Sequence, residues 1–325
     1  MSNVNDPLHQ SPQLSTRAIQ RTIWITLAAL VITLALFAGY YIWDRYIHLD
    51  DRSPIELGVE RMEATVHQDP QNPDTRAALA ESYLRSGQYA EALTQTDQVL
   101  ALYSEHAGAL LIAGLANVRL NRPQEAVEPL EKFVLLRRDR PMAHTDAALE
   151  AAYYFLGESY VKLERPADAL SALEAALAIT PTDADALYQM GLAHQALGQP
   201  QMALELYARA VRLVPDFVEA YEGMVESYSA LDESDHVTYG QGMVAFCQKD
   251  YRSAATYLEQ ATDALPGFAP AFLGLGLAYE GMGELRVALS AIQRALDLDP
   301  EDLAAQQALS RIQKTIDSRN WQDDA

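Results

Sequence analysis

The chain has 325 residues, of which 49% are apolar and 21% charged, and its formal charge is -21. So acidic a chain has no basic stripe with which to release counterions from a nucleic-acid backbone, and anionic lipid headgroups repel it. The one cysteine, Cys247, excludes an intramolecular disulfide and a thiolate metal cluster.

Residues 1–21 are polar, with Pro, Ser, Asn and Gln, and are expected to be a disordered tail. Residues 22–43, TIWITLAALVITLALFAGYYIW, follow without a charge. As a helix this run rises about 33 Å, close to a hydrocarbon core of roughly 30 Å. Trp24 stands near one end and Tyr40, Tyr41 and Trp43 crowd the other, as interfacial aromatics do, with Arg21 and the Asp44-Arg45 pair outside them. A buried core helix is seldom apolar on every side over this length. A cleaved signal peptide has a shorter apolar core ending in a small-x-small site, whereas this run ends in bulky aromatics. An uncleaved transmembrane helix is therefore expected. Arg17 and Arg21 lie before it and Arg45, Arg52 and Arg61 after it, so the positive-inside count does not decide the orientation. A short tail before a single span inserts most simply with the tail inside, which puts the large domain on the extracytoplasmic side. Residues 44–72 are expected to be a juxtamembrane segment with a capping helix, closing on Asp69-Pro70.

Beyond this point the chain repeats. A small residue recurs at Ala80, Gly114, Gly157, Gly191, Gly242 and Gly276. Twelve residues after each comes alanine: Ala92, Ala126, Ala169, Ala203, Ala254 and Ala288. Seven further on stand Val99, Phe133, Ala176, Ala210, Ala261 and Ala295, and the last four units close on Pro181, Pro215, Pro266 and Pro300. Small residues let helices approach where their axes cross. Pro123, Pro166 and Pro200 suit the first turn of a second helix, where a missing N–H costs nothing. The later prolines end that helix. Apolar residues between them recur with a helical period. Each unit is a helix, a tight turn and a second helix.

These offsets resemble a tetratricopeptide repeat array, whose 34-residue unit has small residues at its eighth, twentieth and twenty-seventh positions and proline at its thirty-second. Residues 184–217 fit at Leu187, Gly191, Ala203, Tyr207, Ala210 and Pro215, and residues 269–302 at Phe272, Gly276, Tyr279, Ala288, Ala295 and Pro300. Units starting near 73, 107, 150 and 235 fit with departures at Arg76, Phe133, Ser104 and Arg138. The fold class implied is all-α: a transmembrane helix followed by an α-solenoid.

Unit starts step by 34, 43, 34, 51 and 34 residues. The longer step of 43 reads as a longer connection or a lengthened first helix around residues 138–149, with Thr145 or Asp146 as N-cap. The step of 51 adds half a unit. Residues 218–231 look like a first helix without a second, followed directly by another first-type helix, 236–249. The solenoid is therefore expected to break near 231–236, leaving sub-stacks 73–231 and 235–300 and a capping helix, 301–318.

Nothing in the pattern carries catalysis. The seven histidines have no metal-ligand spacing, and His194 occupies the position of Tyr83, Tyr160 and Tyr279, where it reads as a packing residue. Cys247 has no histidine at an obvious spacing and reads as a buried thiol. The Gly-x-Gly of residues 274–276 lies inside a helical pattern and is no phosphate loop. No enzyme activity, metal, cofactor, nucleic acid or small-molecule substrate is expected.

The resemblance implies a binding groove lined by first helices. Carried onto this chain, its positions include Leu111, Leu115, Tyr154, Tyr188, Leu192, Tyr239, Met243 and Phe246, with Val118, Val161, Leu273 and Leu277. The same positions give Asp74, Glu81, Glu158, Asp185, Glu219, Glu222 and Glu226. An apolar, tyrosine-bearing groove with acidic edges suits a protein partner that offers a basic amphipathic segment. Chaperone-tail receptors of the family carry a Lys/Asn/Arg clamp, but Ala77, Glu81 and Ile112 stand at its positions. A membrane-anchored interaction scaffold or assembly factor is the leading expectation. The rival is a structural subunit of a membrane complex, packing through Ala28, Ala29, Ala35, Ala38 and Gly39 of its transmembrane helix.

Overall fold

The computed structural model describes residues 16–42 and 53–323. Among these are sixteen α-helices and no strand. The chain divides into two compact units, Met1–Arg61 and Met62–Ala325.

In the first unit, α1 runs Thr16–Ile42. It begins six residues before the expected span, so residues 16–21 are helical, whereas residues 1–15 of the expected tail lie outside the described residues. Trp43, Asp44, Arg45 and Arg52 lie outside them too. Within α1, Ile23–Tyr41 is long and apolar enough to cross a bilayer, and each side chain described along it is exposed. Its two threonines turn their hydroxyls back on the helix: Thr26 donates to the Ile23 carbonyl at 2.9 Å and Thr33 to the Ala29 carbonyl at 2.8 Å. Such internal satisfaction is what hydrocarbon demands of a polar group. Helix α2, Pro54–Gln68, opens with a capping box. The Ser53 amide donates to the Glu56 carboxylate at 2.8 Å, and the Glu56 amide to the Ser53 hydroxyl at 3.2 Å.

The second unit is a stack of helix pairs: α3 Pro73–Arg85 with α4 Tyr89–Leu102, α5 Ala107–Arg119 with α6 Pro123–Arg137, α7 Ala147–Lys162 with α8 Pro166–Ile179, and α9 Ala184–Ala196 with α10 Pro200–Leu213. Then come α11 Val218–Ala230, α12 Ser234–Cys247, α13 Tyr251–Ala264, α14 Ala269–Met282, α15 Leu285–Leu298 and α16 Leu303–Asp323. Proline opens α6, α8 and α10. The first helices α3, α5, α7 and α9 are capped by side chains. Asn72 accepts from the amides of Asp74 and Thr75, and Asp183 from that of Ala186, each at 3.1 Å. The turn inside each pair carries one left-handed residue at a fixed place: Gly87, Asn121, Glu164, Gly198, Lys249 and Gly283.

Five of the pairs, α5–α6, α7–α8, α9–α10, α12–α13 and α14–α15, lock through one small-large contact. A β-carbon added to Gly114, Gly157, Gly191, Gly242 or Gly276 would strike the residue sixteen positions on: Leu130, Leu173, Tyr207, Leu258 or Ile292. A second device joins successive pairs. Tyr83 donates to Glu63 at 2.6 Å, and Tyr160 to Glu131 and Tyr279 to Glu259 in the same way. Glu63, in the part of α2 that belongs to the second unit, thus plays the part that Glu259 plays on the second helix α13.

The extra residues after α6 make both a longer connection and a longer helix. A 3-10 turn, Ala143–Thr145, leads into α7, and Asp146 is the N-cap. Asp146 also accepts from Arg137, at 2.9 Å from Nε, which ties the connection to the end of α6.

At α11–α12, where the sequence step of 51 residues falls, the pairing of the helices changes. Helices α3, α5, α7, α9 and α11 each touch the next in that row; from there the row continues through α12, α14 and α16. Asp232, between α11 and α12, is left-handed like the turn residues inside the other pairs (φ 59°). So α11 does have a second helix. Helix α12 serves α11 as its second helix and α13 as its first. Its sequence explains how. Gly240 and Gly242, two residues apart, lie about 200° apart around a helix. Gly240 faces Val225 of α11 and Gly242 faces Leu258 of α13. One hydrophobic core, containing Tyr221, Tyr228, Tyr239, Leu258 and Ala271, runs through this point without interruption. At the far end α16 buries Ala305, Ala308 and Ile312 against Ala288, Ile292 and Ala295 of α15.

Candidate functional site

The groove residues expected from the sequence divide into two sets. Leu111, Leu115, Tyr154, Tyr188, Leu192 and Phe246 are half-buried. Tyr239 and Met243 are only 4% and 5% exposed and leave the groove for the core, as does Val118. The cause is the double role of α12. Tyr239 packs edge-on against Phe268 at 4.9 Å, and Met243 fills the space that a side chain at Gly274 would need. Val161, Leu273 and Leu277 remain half-buried.

Tyr188 sits at the centre of the half-buried set, with its ring 5.2 Å from Phe217 and 5.8 Å from Tyr207. Tyr207 is fully buried, and its hydroxyl donates to Gln195 Oε1 at 2.5 Å. The Gln195 amide nitrogen donates in turn to the Gly223 carbonyl at 3.0 Å and to the Ser227 hydroxyl at 2.9 Å. This network pins α9, α10 and α11 together beneath Tyr188.

Around these rings lie carboxylates. Asp185, Glu219, Glu222 and Glu226 are exposed. Burial raises the Tyr188 hydroxyl above its ordinary pKa, and Glu219, Glu222 and Glu226 raise it further. Asp185 is pushed up by burial, then by Asp183, Glu219 and Glu158. Glu150 is raised to about 7 by burial and by its hydrogen bond with Asp183. Three first helices, α7, α9 and α11, therefore crowd negative charge along one strip. Arg119 lies nearby, its guanidinium 5.5 Å from the Phe155 ring. Elsewhere the expected acidic positions have partners of their own: Glu158 with Lys162 at 2.7 Å, Glu81 with Arg85 at 2.5 Å, and Asp74 with His106 at 3.1 Å. Among the described residues no group of histidine, cysteine and carboxylate side chains could hold a metal ion. His194 is half-buried, its Nδ1 2.7 Å from Gln199 Oε1, and burial pushes the half-buried Cys247 thiol up to about 11.

Sequence reasoning missed the Glu150–Asp183 pair, because the partners lie on successive units. It also missed the second face of α12, although GQG at 240–242 is a readable signal for it.

Stacked helix pairs joined by one-residue left-handed turns define an α-solenoid. Residues 148–216 and 245–312 match the tetratricopeptide repeat family, and residues 60–133 match the family of the anaphase-promoting complex, cyclosome, subunit 3. The chain therefore carries tetratricopeptide repeats, a fold that mediates protein–protein contacts and complex assembly. The matches stop at the long connection after α6 and again at α11–α12, the two irregularities of the stack. Two curated relatives are similar over part of the chain. Heat shock protein STI1 of Saccharomyces cerevisiae is 26% identical over 110 residues, 34% of this chain and 19% of that protein. Cellulose synthase operon protein C of Pseudomonas fluorescens is 28% identical over 150 residues, 46% of this chain and 12% of that protein. The chain thus spans less than a fifth of the length of either relative. Among solved structures, MamA is 24% identical with a TM-score of 0.47, over 53% of this chain and 95% of that one. A tetratricopeptide repeat protein from Parabacteroides merdae is 13% identical with a TM-score of 0.46, over 84% and 98%.

Proposed function

We propose that this protein is a membrane-anchored interaction scaffold or assembly factor, holding a basic amphipathic segment of a partner protein on its first-helix face. The observation that carries the reading is the strip at α7, α9 and α11, where exposed Asp185 and Glu219 flank the half-buried Tyr188. Like charges crowded beside apolar rings cost free energy in the absence of a cation, and a Lys- or Arg-bearing segment relieves that cost while covering the rings. Helix α1 supplies the anchor, through Ile23–Tyr41. In this reading α1 crosses the bilayer once and the repeats lie on the extracytoplasmic side.

The test is a crosslinked pull-down from gently solubilised native membranes, comparing the wild type with Asp185→Lys/Glu219→Lys. Both side chains are exposed, so the helical spectrum and melt should survive. One partner captured by the wild type and lost with the variant supports the face. A partner that survives charge reversal moves the site elsewhere. Protease protection of the repeats in sealed inverted vesicles reads the membrane side, and digestion there would overturn the extracytoplasmic placement.

A further inference from the structure

The double role of α12 opens a cleft. First helices in the regular rows touch, as α9 touches α11 and α12 touches α14. Helices α11 and α13 instead flank α12 and leave a hollow of about 590 Å³ between them. Because α11 belongs to the first-helix row, its exposed ridge borders both this hollow and the strip at Tyr188.

The chemistry of the hollow is uneven. Its floor is mixed, with Val225 of α11 and Val244 and Ala245 of α12 lying between Gln241 and Gln248. Tyr257 of α13, 39% exposed, forms an aromatic wall. Its rim is acidic: Glu222 and Glu226 on one side and Asp250 on the other, all exposed. Along the floor α12 shows Gln241, Val244, Ala245 and Gln248, two turns of one helical stripe. A floor of that length, apolar at its middle and polar at its ends, lies between acidic banks and matches about two turns of an amphipathic helix that carries Lys or Arg on its flanks. A second copy of this chain fits the banks poorly, since its own charge is -21.

We propose that the α11–α13 cleft is a docking site for a basic amphipathic helix of a partner protein. The inference rests on the reading that the first-helix face takes a basic segment, and gives that segment a seat in this cleft.

The probe is a fluorescent amphipathic peptide of Leu and Lys, with a Leu/Glu peptide as control, titrated against the full chain in neutral-lipid nanodiscs. Gln241→Lys/Gln248→Lys puts two cations on the cleft floor at exposed positions of α12. Binding of the Leu/Lys peptide should weaken about tenfold or more in this variant, as expected when like charges are set across an interface. It should weaken with added salt, and the Leu/Glu peptide should not bind. Unchanged affinity in the variant overturns the proposal. Asp185→Lys/Glu219→Lys separates the two ideas. Loss in that variant alone keeps the first-helix face and removes the cleft, whereas loss in the cleft variant alone keeps the cleft and removes Tyr188's strip. Sedimentation supplies a final check, because a dimer that dissociates in the cleft variant would assign the cleft to a second copy and overturn the proposal.

Discussion

Tyr207 is clamped between two glycines. A β-carbon at Gly191 would lie 2.3 Å from its ring, and one at Gly223 2.6 Å. The ring has no room to retreat, because it is fully buried and its hydroxyl is held by Gln195. Gly191→Ala is therefore expected to destabilise the protein by about 1–3 kcal/mol, despite the better helix propensity of alanine. Gly58→Ala, with nothing within 4 Å of the added carbon, should stabilise α2 by up to about 1 kcal/mol. Paired denaturant titrations check both. Glu150 supplies a pH prediction. Its carboxyl, raised to about 7 in the fold from an ordinary value of 4.5, holds a proton that the unfolded chain releases sooner. Stability should therefore fall as pH rises from about 4.5 to about 7, and Glu150→Gln should flatten that slope. Melting temperature against pH reads the difference, and an unchanged slope would remove Glu150 as its source.

At the scale of the element, α12 decides the architecture. The regular pairs put the small residue on the first helix and the large one on the second. Between α11 and α12 the order is inverted, with Val225 on the first helix and Gly240 on the second. Filling Gly240 should pry the two apart. Gly240→Leu is expected to cost about 2 kcal/mol or more, and Val225→Ala should be less costly in that background than in the wild type. A double-mutant cycle that adds to zero coupling would show that the two do not meet. Asp232→Gly should gain up to about 1 kcal/mol, because a left-handed backbone strains any side chain except glycine's. The repeats were legible in the sequence because each unit writes its own punctuation: Gly191, Ala203 and Pro215 stand at offsets that helix packing requires locally. The half-unit step of 51 was equally plain. That α12 completes α11 was not, because a helix with two packed faces shows no single apolar stripe.

For the whole molecule, the stack is an array of neighbours and should lose order from an unprotected end. Truncation after Asp302 removes α16 and uncovers Ala288, Ile292 and Ala295. Hydrogen exchange should then accelerate first in α14 and α15 while α7 to α10 keep their protection. Uniform loss across all helices would instead mark one cooperative block. The sequence by itself determined that this is an all-helical repeat chain with one apolar helix long enough to cross a bilayer, and that its first-helix face is acidic and bears tyrosines. These properties are written in neighbours a few residues apart, where helical period and turn chemistry act. Only the tertiary structure decided which face residues stay open. Tyr154 and Tyr188 do, whereas Tyr239 and Met243 are buried because α12 is packed on two sides, an arrangement set by contacts with α11, α13 and α14 that no local stretch contains.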